Sequence, residues 1–269
     1  MALTEDQIER YSRHIILSEV GGEGQEKLLG GKVLLVGAGG LGSPAGLYLA
    51  AAGVGTIGVI DGDVVDLSNL QRQIAHTTED LGKPKVESAA NAMRDINPDV
   101  NVRTYHTRMM ADNALDLIAD YDFVIDGADN FPTKFLVADA CHLAGKAYSH
   151  AGILRFDGQT MTVVPNESAC YRCVFVKPPP TNSVPSCSQA GVLGVLAGVV
   201  GTIQATEAIK YILGTGGLLT NRLLTYTALN MTFREIKVKR QERCPLCGSD
   251  PTITELHDEV EAVCDLSAR

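Results

Sequence analysis

The stretch VLLVGAGGLGSP, Val33 to Pro44, runs four apolar residues into Gly37-Ala38-Gly39-Gly40-Leu41-Gly42. A short apolar run bounded by glycines reads as a buried strand. The glycines let backbone approach a phosphate, and a helix beyond them offers amide donors and the positive end of its dipole. Asp61 closes the next apolar run, roughly twenty residues on, where a carboxylate meets ribose hydroxyls in dinucleotide-type sites. Both a dinucleotide and ATP can use such a turn, so the neighbouring sequence has to choose.

Outward from the turn, the pattern predicts strand Lys32–Val36, helix Leu41–Ala52, strand Thr56–Ile60, helix Pro84–Ile96 and a strand near Val100–Tyr105. A short helix ending at Ala119, strand Asp122–Ile125, helix Thr133–Ala144 and strand Ala147–Ala151 continue it. This alternation predicts an α/β, Rossmann-like, mostly parallel sheet with helices on both faces. The segment Ile153–Val164, with Phe156-Asp157-Gly158 in its middle, reads as a hairpin that extends the sheet with antiparallel strands. Lys177–Gln189 holds four prolines and reads as a mobile surface loop. A long helix from about Val192 to Ile212 and strands near Leu223–Thr227 and Thr232–Val238 complete the pattern. At the other end, Thr4 and Gln7 form a capping-box signal for a helix carrying Ile8, Tyr11, Ile15 and Ile16 on one side, and a second short helix is expected over Gln25–Leu29. The expected organisation is one domain: N-terminal helices 4–29, a nucleotide-binding part 32–152, a second part 153–250 and an acidic tail 251–269.

The 269 residues carry a formal net charge of −9, which disfavours nucleic-acid binding and requires any phosphate site to be locally cationic. The longest uncharged apolar run, Ala190–Ile203, is shorter than the roughly 20 residues that span a bilayer. The opening residues lack the order of a secretory signal, so a soluble, cytoplasmic protein without membrane association is expected.

After Asp61, the sequence DGDVVDLSNLQRQIAHTTEDLGKPKVE packs Asp63, Asn69, Gln71, Arg72 and Lys85 into one connection. Arg72 and Lys85 suit the charge of a triphosphate. Asp129, in VIDGADN at the end of the fourth predicted strand, would lie beside the same crevice and could hold Mg²⁺. The plainer alternative pairs Arg72 and Lys85 with Glu79 and Glu87 at the surface. The combination after a strand-end aspartate favours ATP. The six histidines share no spacing and read as surface or core residues.

Two C-x-x-C pairs, Cys170/Cys173 and Cys244/Cys247, suit a closed tetrahedral Zn²⁺ site that clamps the C-terminal strands. The charged neighbours Arg172, Glu242 and Arg243 argue against four thiols in an apolar core. Cys187 lies in the proline-rich segment near the start of a glycine-rich helix that could lower a thiol pKa, which suggests sulfur transfer; a nonessential thiol is the alternative. Cys141 reads as a core residue and Cys264 as incidental.

The chain resembles the MoeB/ThiF/HesA adenylyltransferases, bacterial relatives of ubiquitin-activating enzymes, over nearly its whole length. The resemblance rests on RYSRHIIL, GAGGLGSP, DGDVVDLSNLQRQ, GKPKVE, DGADNFPTKF, SCSQAGVLG, the cysteine pairs and CPLCGSDPTIT. The last of these looks most like the MoeB type. The resemblance implies ATP-dependent adenylylation of the C-terminal glycine carboxylate of a small ubiquitin-fold sulfur carrier (MoaD/ThiS-like), with residues 153–250 binding the carrier. It places Asp61 at the ribose, Asn69, Arg72 and Lys85 at the phosphates, Asp129 at Mg²⁺, and Arg13 at the ATP of the other subunit of a homodimer. It also implies that some relatives link covalently to the carrier through a cysteine where Cys187 stands. The chain ends in Leu-Ser-Ala-Arg and shows no rhodanese-like part after residue 250, so the carrier and the persulfide donor are expected to be separate proteins. Competing readings are an NAD-dependent oxidoreductase, a noncatalytic module for ubiquitin-like tails, and adenylylation of a nonprotein carboxylate such as one on modified tRNA.

Overall fold

A computed structural model of the protein describes residues 3–180 and 190–258; Cys187, Cys264 and most of the proline-rich segment lie outside them. The N-terminal capping box forms as expected, with the Gln7 amide donating to Thr4 Oγ1 and the Thr4 amide to Gln7 Oε1, each at 3.2 Å. The expected apolar side does not form. Helix α1 (Glu5–Arg10) breaks at Tyr11 before α2 (Ser12–Ile15), and Ile8 and Ile16 are 50% and 72% exposed. Tyr11 turns inward instead. Its hydroxyl accepts from Asn97 Nδ2 at 2.8 Å, and its ring fills the space over Gly53, where a Cβ would come within 2.5 Å. Helix α3 (Gly21–Gly30) starts earlier than the sequence suggests.

Strands β1 (Lys32–Val36), β2 (Thr56–Ile60), β3 (Asn101–Tyr105), β4 (Phe123–Asp126) and β5 (Ala147–Leu154) run parallel. Strands β6 (Asp157–Val163), β7 (Arg222–Thr227) and β8 (Thr232–Lys237) extend the sheet antiparallel, giving the order β3-β2-β1-β4-β5-β6-β7-β8. The chain therefore leaves the β3 edge and crosses to the far side of β1 before forming β4, which opens a crevice at the C-terminal ends of β1 and β4, where ligands bind in sheets of this type. Helices α4 (Gly42–Ala52), α5 (Lys85–Ile96), α6 (Ala114–Ala119), α7 (Phe131–Leu143) and α8 (Gly194–Leu213) cover the sheet. The strand period of two divides β1 between two cores. Val33 and Leu35 pack with Leu49, Val86, Met93 and Ala208 on one side, while Leu34 and Val36 pack with Ile118, Phe135 and Cys141 on the other. Full burial pushes the Cys141 thiol far above its ordinary pKa, so it is an inert core group.

The hairpin turns at Arg155-Phe156, since Leu154 pairs with Asp157, and Arg155 takes the left-handed conformation (φ 54°). Beyond it, the register Gly152↔Gln159↔Thr225↔Arg234 sets these residues across one sheet face. Among the described residues, no helix is long and apolar enough to cross a membrane.

Candidate active site

The glycine turn is held by its neighbours. The Gly37 amide donates to Ile60 O at 2.8 Å, and the Ala38 amide to Asp61 Oδ2 at 2.9 Å. Asp61 Oδ1 accepts from the Asp63 amide at 2.9 Å, so the strand-end carboxylate braces both loops while its remaining lone pairs face the crevice. Buried His76 completes the brace: Nε2 lies 3.0 Å from Ala38 O and Nδ1 2.8 Å from Ser88 Oγ. The carbonyl requires Nε2 to carry the proton, and burial lowers the His76 pKa, keeping the ring neutral. The turn is close-packed. A Cβ on Gly42 would lie 1.9 Å from Gly37 O, and one on Gly37, whose φ is 100°, would lie 2.9 Å from Gly127 O.

The crevice opens into a cavity of about 1170 Å³ that runs from this turn across the free face of β5–β8. Gly37, Gly39, Gly40, Asp61, Asp63, Arg72, Lys85 and Asp129 all line it, so the structure brings together most of the residues that the sequence singles out. Asn69 and Arg13 are not part of the lining. Asn69 ends a 3₁₀ turn (Leu67–Asn69) and is engaged in its capping box with Asp66; Arg13 stands exposed on α2.

Arg72 and Lys85 do not make the surface pairs offered as the plainer reading. Arg72 Nη1 donates to Ser68 O at 3.0 Å. Lys85, 7% exposed at the start of α5, pairs with Asp63 at 3.1 Å, and Arg108 approaches the other Asp63 oxygen at 3.6 Å. Over the whole cavity, Arg72, Lys85, Arg108, Lys134 and Arg234 are balanced in the lining by Asp61, Asp63, Asp129, Asp157 and Asp258. The cations nevertheless gather at the nucleotide end, where Arg108 and Lys85 share one carboxylate.

Asp129 is exposed in the loop between β4 and α7, and Asn130 Nδ2 lies 3.5 Å from its Oδ1. The loop is fixed because Asn130 caps α7, accepting from the Thr133 amide at 2.9 Å with Pro132 in the first turn. Asp126, Lys134 and His150 form a buried cluster that sequence reading misses. The Asp126 carboxylate accepts from His150 Nδ1 at 2.8 Å and from Lys134 Nζ at 3.3 Å. Against full burial, the Lys134 ammonium and the N–H donated by His150 hold Asp126 below the ordinary carboxylate range, and burial keeps His150 neutral. The signal was present in VIDGADN, where Asp126 closes β4 as Asp61 follows β2.

The four cysteines of the two pairs are buried in the α7-side core with their sulfurs within 4.8 Å of one another. Neighbouring Sγ atoms lie 3.8, 3.5 and 3.4 Å apart, against about 3.8 Å for sulfurs 2.3 Å from one tetrahedral metal. Thiol donation from Cys170 pushes the Cys173 pKa down to about 4, and the Gln241 amide also donates to that sulfur, at 3.4 Å. The set fits a Zn²⁺ ion. The charged neighbour taken as evidence against an apolar setting, Arg172, is itself buried. It clamps the first knuckle to α7 through Asp139, with contacts of 2.7 and 2.6 Å.

A strand-turn-helix glycine cradle, cations on the next two segments and an extension of the cavity over the sheet suit an enzyme that uses a nucleotide together with a second, extended substrate. The chain belongs to the ThiF family, whose sequence profile matches residues 11–246. It is 48% identical to the sulfur carrier protein adenylyltransferase of Thermus thermophilus, over 99% of this chain and all of that one. It is 50% identical to the SAMP-activating enzyme E1 of Haloferax volcanii, over 92% of each chain. The crystal structure of E. coli MccB superposes with a TM-score of 0.80 at 23% identity, over 96% of this chain and 76% of that one, and shows the shared fold.

Proposed function

We propose that the protein adenylylates the C-terminal glycine carboxylate of a small ubiquitin-fold sulfur carrier, using ATP and releasing pyrophosphate. The observation that carries this reading is the continuity of the cavity: it joins the glycine turn, Arg72 and Lys85 to the open face of β5–β8, so a nucleotide and a chain end fit side by side. Its volume of about 1170 Å³ exceeds that of pockets for one small ligand, about 300–1,000 Å³.

A carboxylate is already an anion and a nucleophile, so the reaction needs no general base. Its barrier lies in bringing anion against polyphosphate and in charge gathering on the departing pyrophosphate. The turn amides position the phosphates, Arg72 and Lys85 offset the charge, and Asp61 orients the ribose. Asp129, with its exposed carboxylate, would hold Mg²⁺, which supplies further charge neutralisation. Asn69 would approach the phosphates from the edge of the site. Arg13 lies outside its own chain's cavity, which supports a homodimer in which it serves the partner's ATP. Zinc on Cys170, Cys173, Cys244 and Cys247 is structural, because four thiolates leave no open position. We assign residues 153–250 to carrier binding, place the enzyme in the cytoplasm and assign the sulfur to a separate persulfide donor. A role for Cys187 in transfer belongs to this proposal alone. ATP–pyrophosphate exchange measured against a panel of purified carriers tests the reading; exchange that no carrier stimulates refutes it.

A further inference from the structure

The floor of the cavity between the nucleotide end and the β5–β8 face holds a group that the adenylylation chemistry leaves unused. His150 is 2% exposed, and its ring packs against Tyr171 and Phe175, with centroids 4.4 and 6.2 Å away. Because Asp126 is an anion tied to Lys134, His150 Nδ1 carries the proton and donates to it at 2.8 Å. The neutral ring then has a lone pair at Nε2, which is buried without a hydrogen-bond partner among the described residues. His150 lines the cavity, so a ligand there can supply the missing donor.

The register limits which ligand. Val36, Asp126 and His150 stand side by side on β1, β4 and β5, which sets His150 two strand spacings, about 10 Å, from the end of β1. ATP offers only acceptors along its phosphates. Its ribose hydroxyls belong with Asp61 beyond β2, on the opposite side of β1. A terminal carboxylate is likewise an acceptor. A backbone N–H of the carrier tail is a donor that an extended chain can bring there, since it crosses about 10 Å in about three residues.

We propose that His150 Nε2 accepts a hydrogen bond from a backbone N–H of the carrier's extended C-terminal tail, about three residues before the reacting carboxylate. His150 is thus a positioning residue, oriented by Asp126 and Lys134, that fixes how far the tail advances toward the nucleotide. The inference rests on the adenylyltransferase reading and adds a specific contact to it.

The test uses the full-length enzyme and semisynthetic carriers in which each of the last four amides is replaced in turn by an ester, which removes one N–H. With wild-type enzyme, one ester position should raise the carrier KM about five-fold in ATP–pyrophosphate exchange, the scale of one hydrogen bond, while the ATP KM stays unchanged. His150→Leu should abolish the difference between that ester and the native amide. His150→Gln, which restores an acceptor, should recover part of it. Wild-type indifference to all four esters, or a preference that persists in His150→Leu, overturns the proposal. If the leucine variant fails to fold, the His150 imidazole ¹⁵N resonances of wild type decide: titration with native carrier should move Nε2 upfield, and an unmoved Nε2 overturns the contact. Absence of any carrier-dependent exchange in wild type refutes the adenylyltransferase reading, whereas normal exchange with no His150 effect refutes this inference alone.

Discussion

The glycine turn makes two alanine substitutions that look alike in sequence behave oppositely. A Cβ on Gly39 would find its nearest neighbour, Gln73 Nε2, at 3.6 Å, an ordinary contact, and Gly39 does not need a positive φ. Gly39→Ala should therefore fold with stability within about 0.5 kcal/mol of wild type. Its methyl would nevertheless stand on the cradle where a phosphate approaches the backbone. Loss of one charge-assisted hydrogen bond, about 1.5–3 kcal/mol, corresponds to about 10- to 150-fold weaker ATP binding. Gly42→Ala is the contrast, since its Cβ would stand 1.9 Å from Gly37 O, a backbone atom that cannot swing away. The cost lies at or above the upper end of ordinary overpacking, about 3 kcal/mol, and should lower Tm by about 5 °C or more. Calorimetric ATP titration and thermal unfolding of both variants separate the effects. A Gly39→Ala enzyme that binds ATP like wild type, or that melts as early as Gly42→Ala, would falsify the assignment of this turn as the phosphate cradle.

Metal analysis of purified protein should find one Zn²⁺ per chain, and Cys244→Ser should lose both the metal and several degrees of Tm; a metal-free wild type with unchanged melting removes the site. Asp129→Ala should reduce carrier-dependent exchange at least about 100-fold by removing the counterpart of Mg²⁺, with an unchanged Tm, and near-normal exchange would exclude Asp129 from the reaction. Mixing Arg13→Ala and Asp129→Ala chains should restore exchange through heterodimers holding one intact site, whereas subunits that exchange without regaining activity would put Arg13 outside the partner's site. Burial holds the His76 pKa below the ordinary value of about 6.5, so the unfolded chain takes up this proton first. The His76 contribution to stability is thus intact above pH about 6.5 and is lost as pH falls toward the folded pKa, at up to about 1.4 kcal/mol per unit. Unfolding midpoints between pH 8 and 5 should fall less steeply in His76→Gln, and parallel curves would show that His76 does not titrate on unfolding.

What the sequence made legible was local. Strand β1 could be read because Val33–Val36 is apolar throughout, and both its faces are indeed buried. The break at Tyr11 could not, because the partner that draws its hydroxyl inward, Asn97, is 86 residues away. The hairpin shifted its turn to Arg155-Phe156 because a non-glycine residue takes the left-handed conformation, which composition does not signal. The cysteine pairs were readable from spacing alone. Their burial was not, since it depends on Asp139 of α7 neutralising Arg172 between the two cysteines of the first pair.

The largest departure from sequence reading concerns charge. An acidic chain requires a locally cationic phosphate site, yet two aspartates in this part of the cavity, Asp61 and Asp63, are already engaged within the chain. Asp61 holds the glycine turn through the Ala38 amide, and Asp63 pairs with Lys85, of which only 7% is exposed. On the proposed reading, Asp63 and a polyphosphate would be alternative counterions for this lysine and for Arg108. Nucleotide binding would then exchange one partner for another rather than satisfy a bare cation. The balance of charge along the cavity is consistent with an enzyme that must release its product, and the sequence hid it because the two residues of the Asp63–Lys85 pair stand 22 positions apart.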